Sequence, residues 1–198
     1  MKTIETTQKN TAWRWAGNLL IICIIVCNGY TILAPLWPAL YWQMIKSTPL
    51  PTTMAIGKSS ELKAIDISRN HLIIPELRVD APIGSSVGAL NDGAWLRPAG
   101  STPAKGGNTV LAGHRFAYGA STLFYNLDKL KNGAEVGLAY EGKVYRYVVE
   151  RSYIAQPSQT EIERPDSPTP KLTLYTCTPL FTAKERLVVE AVLKDIYE

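Results

Sequence analysis

Three side chains far apart in the sequence have the chemistry of acyl transfer: Cys177, His114 and Arg186. A thiolate attacks carbonyls well, and a nearby imidazolium stabilises it and later gives a proton to the leaving amine. A guanidinium can hold the tetrahedral oxyanion or orient a peptide. The chain has 3 cysteines, and Cys23 and Cys27 lie inside a long apolar run, so Cys177 is the only thiol in the remaining sequence. Taken singly, a free Cys reads as a small hydrophobe and an Arg as a solvated charge. The set carries more weight than its members. Of the 2 histidines, His71 lies within the apolar run His71-Leu72-Ile73-Ile74 and is expected as a core or strand-edge residue. His114 closes Ala112-Gly113-His114-Arg115 at a loop edge, as Cys177 does.

These residues must be positioned by strands. Short β-type runs alternate with turn signals, and no segment outside the N-terminus keeps a helical period. Residues 71–74 and 77–79, split by Pro75, read as two short strands or one bent edge strand; strands are also expected near 108–114, 135–140, 143–151, 171–177 and 186–193. A short helix over 121–130 would end at Lys131-Asn132-Gly133, and the Pro-rich stretch 157–170 reads as a connection. Strands at this spacing imply an all-β barrel or sandwich. In 171–177 the apolar set Leu172 and Leu174 leaves Lys171, Thr173, Tyr175 and Cys177 on the opposite face. In 186–193 the apolar set Leu187, Val189, Ala191 and Leu193 leaves Arg186, Val188, Glu190 and Val192 on the other. If the apolar sets fill the interior, Cys177 and Arg186 both project outward, at facing ends of strands joined by 8 residues.

Charged residues are 19% of the 198, below the roughly 25% of a globular chain. The deficit is local, because the 31 residues between Arg14 and Lys46 carry no charge. That run exceeds the ~20 apolar residues needed to cross a bilayer. Pro35 and Pro38 sit where the helix would close, with Trp13, Trp15, Trp37, Tyr41 and Trp42 placed for the two interfaces. Lys2, Lys9 and Arg14 precede the span, opposed only by Glu5, which puts residues 1–14 in the cytoplasm. The expected organisation is therefore a membrane signal-anchor over 15–42, an extracellular Ser-, Thr- and Pro-rich linker over 43–62 and an extracellular domain over 63–198. A cleaved signal peptide and a buried core helix are the alternatives; the first lacks a small-x-small cleavage site. A net charge of +4, scattered along the chain, does not describe a nucleic-acid binder.

Thr173-Leu174-Tyr175-Thr176-Cys177, with Arg186 nine positions later, resembles the Thr-Leu-x-Thr-Cys…Arg signature of the sortases, Gram-positive cell-surface transpeptidases. Gly106-Gly107-Asn108-Thr109-Val110-Leu111-Ala112-Gly113-His114-Arg115 resembles the strand that delivers their catalytic His. The resemblance runs from about Ile65 to Leu193. Tyr118-Gly119 and the segment Pro179-Leu180-Phe181-Thr182-Ala183-Lys184-Glu185 look most like class E, with class D next. The resemblance implies a mainly β fold: a closed eight-stranded barrel with short helices, preceded by one transmembrane helix. It also implies that Cys177 attacks the Thr-Gly bond of a Leu-Pro-x-Thr-Gly or Leu-Ala-x-Thr-Gly sorting motif, and that the thioester passes to a cell-wall amine. His114 would serve as general acid and then base, and Arg186 would bind the substrate backbone and oxyanion. Thr176 would either help arrange the oxyanion site or act only as a strand residue. Arg115 and Tyr118 would line the groove or be structural. No cofactor and no metal is expected; the partners are sorting-motif-bearing surface proteins, the acceptor amine and the membrane. No lid motif of the pilus-building class C kind is present in the N-terminal sequence, which favours a housekeeping role.

An L,D-transpeptidase would place Ser-x-Gly-Cys before an aliphatic residue and Arg, whereas Thr178-Pro179 follows Cys177 here. Papain-like proteases place Cys before His, the reverse of this chain, although order alone does not settle a convergent chemistry. The non-enzymatic alternative is an anchored β-domain that binds a peptide or wall component, with Cys177 inert.

Overall fold

The computed structural model describes residues 2–45, with side chains from residue 13, and residues 65–198. It divides into an N-terminal helical unit and a β unit. In the first, α1 (Lys2–Leu33) passes through a 3-10 turn at Ala34–Leu36 into α2 (Trp37–Ile45). The prolines do not end the helical backbone, which continues to Ile45. Pro35 lies in the intervening turn and Pro38 in the first turn of α2, where a missing N–H costs nothing. Trp13–Ile45 is long and apolar enough to cross a membrane. Leu19, Ile22, Ile25 and Leu33 are all exposed, so the apolar surface of this helix is not buried within the helical unit. Most of the expected linker, 46–62, lies outside the described residues.

Eight strands make the β unit: β1 (His71–Ile74), β2 (Val79–Gly84), β3 (Ala94–Leu96), β4 (Asn108–Ala112), β5 (Glu135–Tyr140), β6 (Lys143–Ala155), β7 (Lys171–Thr178) and β8 (Glu185–Tyr197). They close in the order β1-β2-β3-β4-β7-β8-β6-β5, so closure leaves no free sheet edge. The β2–β3 and β4–β7 pairs are parallel and the rest antiparallel. Leu72, Leu111, Leu138, Leu172 and Leu174 are completely buried. Each such side chain stabilises the fold by about 1.5–3 kcal/mol. Ile65, Ile73, Ala139 and Val144 form a further cluster with Tyr197 packed on it, tying the start of the β unit to β1, β5, β6 and β8. His71 is buried there, with Nδ1 2.6 Å from Asp80 Oδ1 and Nε2 2.8 Å from the Asp66 carbonyl. It has the core position expected of it.

Three local expectations change. Strand β3, only three residues long, carries too little alternation to be read from sequence. β6 and β8 run to Ala155 and Tyr197, beyond the apolar patterns that end near 151 and 193. Residues 121–130 form turns with one 3-10 segment, Leu127–Lys129, in place of a helix. The amides of Leu127, Lys129 and Leu130 bond three residues back, while those of Ser121 and Phe124 reach Asn91 and His114. Phe124 and Leu127 are fully buried, so tertiary packing overrides helix propensity here.

Candidate active site

The outer face of β7 and β8 is built by their register. Lys171, Thr173, Tyr175 and Cys177 stand opposite Val192, Glu190, Val188 and Arg186. Cys177 is half-buried. Arg186 donates through Nη1 to the carbonyls of Ala183 (3.1 Å) and Glu185 (3.0 Å). The loop before β8, which offers the Ala183 carbonyl, has left-handed backbone at Phe181 (φ 73°) and Ala183 (φ 52°), a strained conformation outside glycine. Among the described residues the rest of the Arg186 fork makes no hydrogen bond.

His114 arrives from the other side of β7. The parallel ladder pairs each residue of β4 with the one 63 positions later, as in Ala112 with Tyr175. The same offset continues past the end of β4. The Gly113 N–H donates to the Tyr175 carbonyl (3.2 Å), Thr176 Oγ1 to the Gly113 carbonyl (2.8 Å), and Arg115 Nη1 to Thr178 Oγ1 (2.7 Å). Side-chain bonds thus join the two residues that flank His114 to the two that flank Cys177. Gly113 is required because a Cβ there would meet the Phe124 ring at 2.6 Å, and the Phe124 N–H holds the His114 carbonyl at 3.0 Å.

Among the other expected residues, Thr176 is only 1% exposed and its hydroxyl is committed to Gly113, so its side chain holds the strand end instead of facing a substrate. Arg115 is likewise engaged, by Thr178 and by Asp128 (3.2 Å). It does not line an open surface. Tyr118 is 58% exposed and packs edge-on against Phe116, with centroids 5.0 Å apart. Phe116 in turn meets Phe181, 67% exposed, at 5.5 Å, which joins the segment after His114 to the segment before Arg186.

A second network escaped sequence reading. Tyr175 donates its phenol to Glu163 Oε1 (2.6 Å), and Arg97 grips the same carboxylate with Nε (2.9 Å) and Nη2 (3.0 Å) while stacking 3.9 Å over Trp95. Burial and the adjacent carboxylate push the Tyr175 phenol well above its ordinary pKa, so it stays a neutral donor. Glu163 ends the turn Thr160–Glu163 in the β6–β7 connection. The outward direction of Tyr175 was readable from the alternation; its partners, far off in sequence, were not. Asn108 holds the same connection by donating to the carbonyls of Ile162 (3.0 Å) and Arg164 (2.9 Å) while accepting from Thr173 Oγ1 (2.7 Å). Further down the wall, burial alone would raise the Glu190 pKa, but Arg151, Lys171 and Tyr153 outweigh it and hold the carboxyl low. Among the described residues no three His, Cys, Asp or Glu side chains group as a metal site.

The β7–β8 face thus presents a thiol and a cross-strand guanidinium, and the residues that flank the thiol bond those that flank His114. A comparison with curated protein sequences returned no match. Among solved structures, sortase E1 of Streptomyces coelicolor, with a tripeptide in its active site, is 29% identical over 65% of this chain and 89% of its own, with a TM-score of 0.57. Clostridium perfringens sortase C with the C-terminal cell wall sorting motif is 28% identical, covering 67% and 75% of the two chains with a TM-score of 0.57. Streptococcus pneumoniae sortase C is 25% identical over 82% and 87%, with a TM-score of 0.58. The sortase-domain family model matches residues 72–194, most of the barrel with Cys177, His114 and Arg186 inside it, and the chain therefore belongs to the sortase family of cysteine transpeptidases.

Proposed function

We propose that the protein is a membrane-anchored sortase that cleaves a Leu-Pro-x-Thr-Gly or Leu-Ala-x-Thr-Gly motif between Thr and Gly and transfers the surface protein to a cell-wall amine. The observation that supports this reading is the cross-strand pairing of Cys177 with Arg186, with Thr176 and Thr178 bonded to the residues that flank His114. The Cys177 thiolate adds to the Thr carbonyl, giving a tetrahedral oxyanion beside the free part of the Arg186 fork. Collapse breaks the Thr-Gly bond, His114 protonates the departing Gly amine, and a thioester remains on Cys177. In the second half His114 takes a proton from the incoming amine, which displaces the thiolate and forms the new amide. Peptides bound to the two solved relatives support a sorting signal as the donor. Tyr118-Gly119 and the 179–185 segment support class E, while the structural relatives span several classes.

The apolar helix supports a single-pass anchor, and Lys2, Lys9 and Arg14 ahead of it support a cytoplasmic N-terminus with the barrel outside. The test uses the full chain in detergent micelles, with peptides carrying Pro or Ala at the second motif position and a panel of amines. Expected are a joined product and an intact-mass adduct on Cys177 equal to the acyl fragment. Failure of Cys177 to take up either the acyl group or a thiol-reactive sulfonate would instead favour a non-catalytic peptide-binding domain.

A further inference from the structure

Cys177 is flanked by Thr176 and Thr178, which share the face of β7 opposite the thiol and are both buried. Each uses its hydroxyl to hold the segment bearing His114. Thr176 donates to Gly113, the residue before the histidine, and Thr178 accepts from Arg115, the residue after it. The backbone ladder between β4 and β7 ends at Ala112 and Tyr175, so beyond that point these side chains continue the register. Arg115 does more than reach Thr178. Its Nη2 pairs with Asp128, which lies in the Leu127–Lys129 turn anchored by the fully buried Leu127. The fork therefore links the end of β7, the histidine segment and a fixed point in the core.

The arrangement carries a cost. The Arg115 side chain is only 16% exposed, and its Nε is buried with no hydrogen-bond partner among the described residues. An apolar side chain of similar length would avoid that penalty. Local violations of this kind occur where function outweighs stability. With Nη1 and Nη2 already engaged, the fork is not presented for a substrate carboxylate.

We infer that Arg115 and Thr178 are a positioning pair: their hydrogen bond holds the His114 segment against the Cys177 strand, so that the imidazole keeps proton-transfer range through both halves of the reaction. This rests on the reading of Cys177 and His114 as the reacting groups. Small displacements of a proton-transfer group lower turnover steeply, by up to about 100-fold per ångström. Because the Thr178 hydroxyl and the Arg115 fork are spent on each other and on Asp128, donor binding is left alone. The pair is thus expected to act on kcat and to spare KM.

The experiment compares the full chain in detergent with its Thr178→Val, Thr178→Ser and Arg115→Lys variants. It reads kcat and KM for a sorting-motif peptide with a fixed amine, Cys177 uptake of a thiol reagent, and the melting temperature. Thr178→Val keeps the volume and loses the hydroxyl; its kcat is expected to fall by about 10- to 100-fold with KM changed less than about 2-fold. Thr178→Ser restores the hydroxyl and should recover most of kcat. Arg115→Lys offers one ammonium where two partners must be bridged, so it should fall between the two. A folded Thr178→Val protein with wild-type kcat overturns the inference, as does an equal loss in the Val and Ser variants or a loss confined to KM. An active wild type with an unaffected Thr178→Val defeats the positioning pair alone, whereas a wild type that neither cleaves the peptide nor takes up thiol reagent on Cys177 defeats the transpeptidase reading with it.

Discussion

Cys177 and Arg186 are direct partners across the antiparallel β7–β8 ladder, and the guanidinium is tied through Nη1 to the backbone of Ala183, in the loop joining those strands, and of Glu185, the first residue of β8. Both side chains leave the barrel on the same face because strand alternation and register agree. A one-residue slip of either strand would send one of them inward. The geometry of the pair is therefore a property of the sheet, and the loop only refines it.

Cys177→Ala should abolish thioester formation and transfer while the barrel melts as in the wild type, because a half-buried thiol contributes little packing. Arg186→Lys retains the charge and loses the planar fork; turnover is expected to fall about 10²–10³-fold, the scale of a missing oxyanion donor. Intact mass after incubation with a sorting-motif peptide reads the first, and steady-state rates read the second. Transfer by Cys177→Ala would remove Cys177 from the mechanism.

Tyr175→Phe deletes the phenol that bonds the Glu163 carboxylate at 2.6 Å. Hydrogen bonds to charged groups contribute about 1.5–3 kcal/mol, and Glu163 keeps Arg97, so a loss of roughly 1–2 kcal/mol is expected in urea unfolding. The β6–β7 connection should also loosen, seen as faster amide exchange over 160–164. Unchanged stability and exchange would mean that Arg97 alone holds Glu163.

Asn108→Ala strips both carbonyls of the connection of their donor and leaves the buried Thr173 hydroxyl without its acceptor. Unmaking buried hydrogen bonds costs about 1–3 kcal/mol apiece, so the melting temperature should drop by several degrees or more. A drop no larger than that of a surface substitution would show that water replaces the amide.

Asp66 accepts from the Ser68 hydroxyl and amide and from Arg69, and these bonds bring its pKa down from 3.8 to about 2. A depressed carboxyl favours the folded state when ionised. Its contribution is present above pH 3.8 and is lost as the pH falls through about 2. Because the Asp66 carbonyl also holds His71, acidification over that window should open the turn ahead of β1. A carboxyl NMR titration of Asp66 with its midpoint near the ordinary aspartate value would contradict this, as would an Asp66→Asn variant with the same acid sensitivity as the wild type.

Alternation of period two was enough to read the faces of β7 and β8, and to place Cys177 and Arg186 outward, because the apolar side of such a strand is written in every second residue. The charge-free N-terminal run was equally legible as one long apolar helix, since that reading needs only composition and length. Strand β3 was not legible, being too short for a pattern. The far end of β8 was missed because charged pairing such as Arg146 with Asp195 replaces apolar alternation there. Nor could sequence show that residues 121–130 form turns around Phe124 and Leu127. The larger part of the site, Thr176 with Gly113, Thr178 with Arg115 and Tyr175 with Glu163 and Arg97, was decided by barrel closure. Alternation says which face a residue takes, but only the parallel β4–β7 pairing, between segments 63 residues apart, decides who stands beside it.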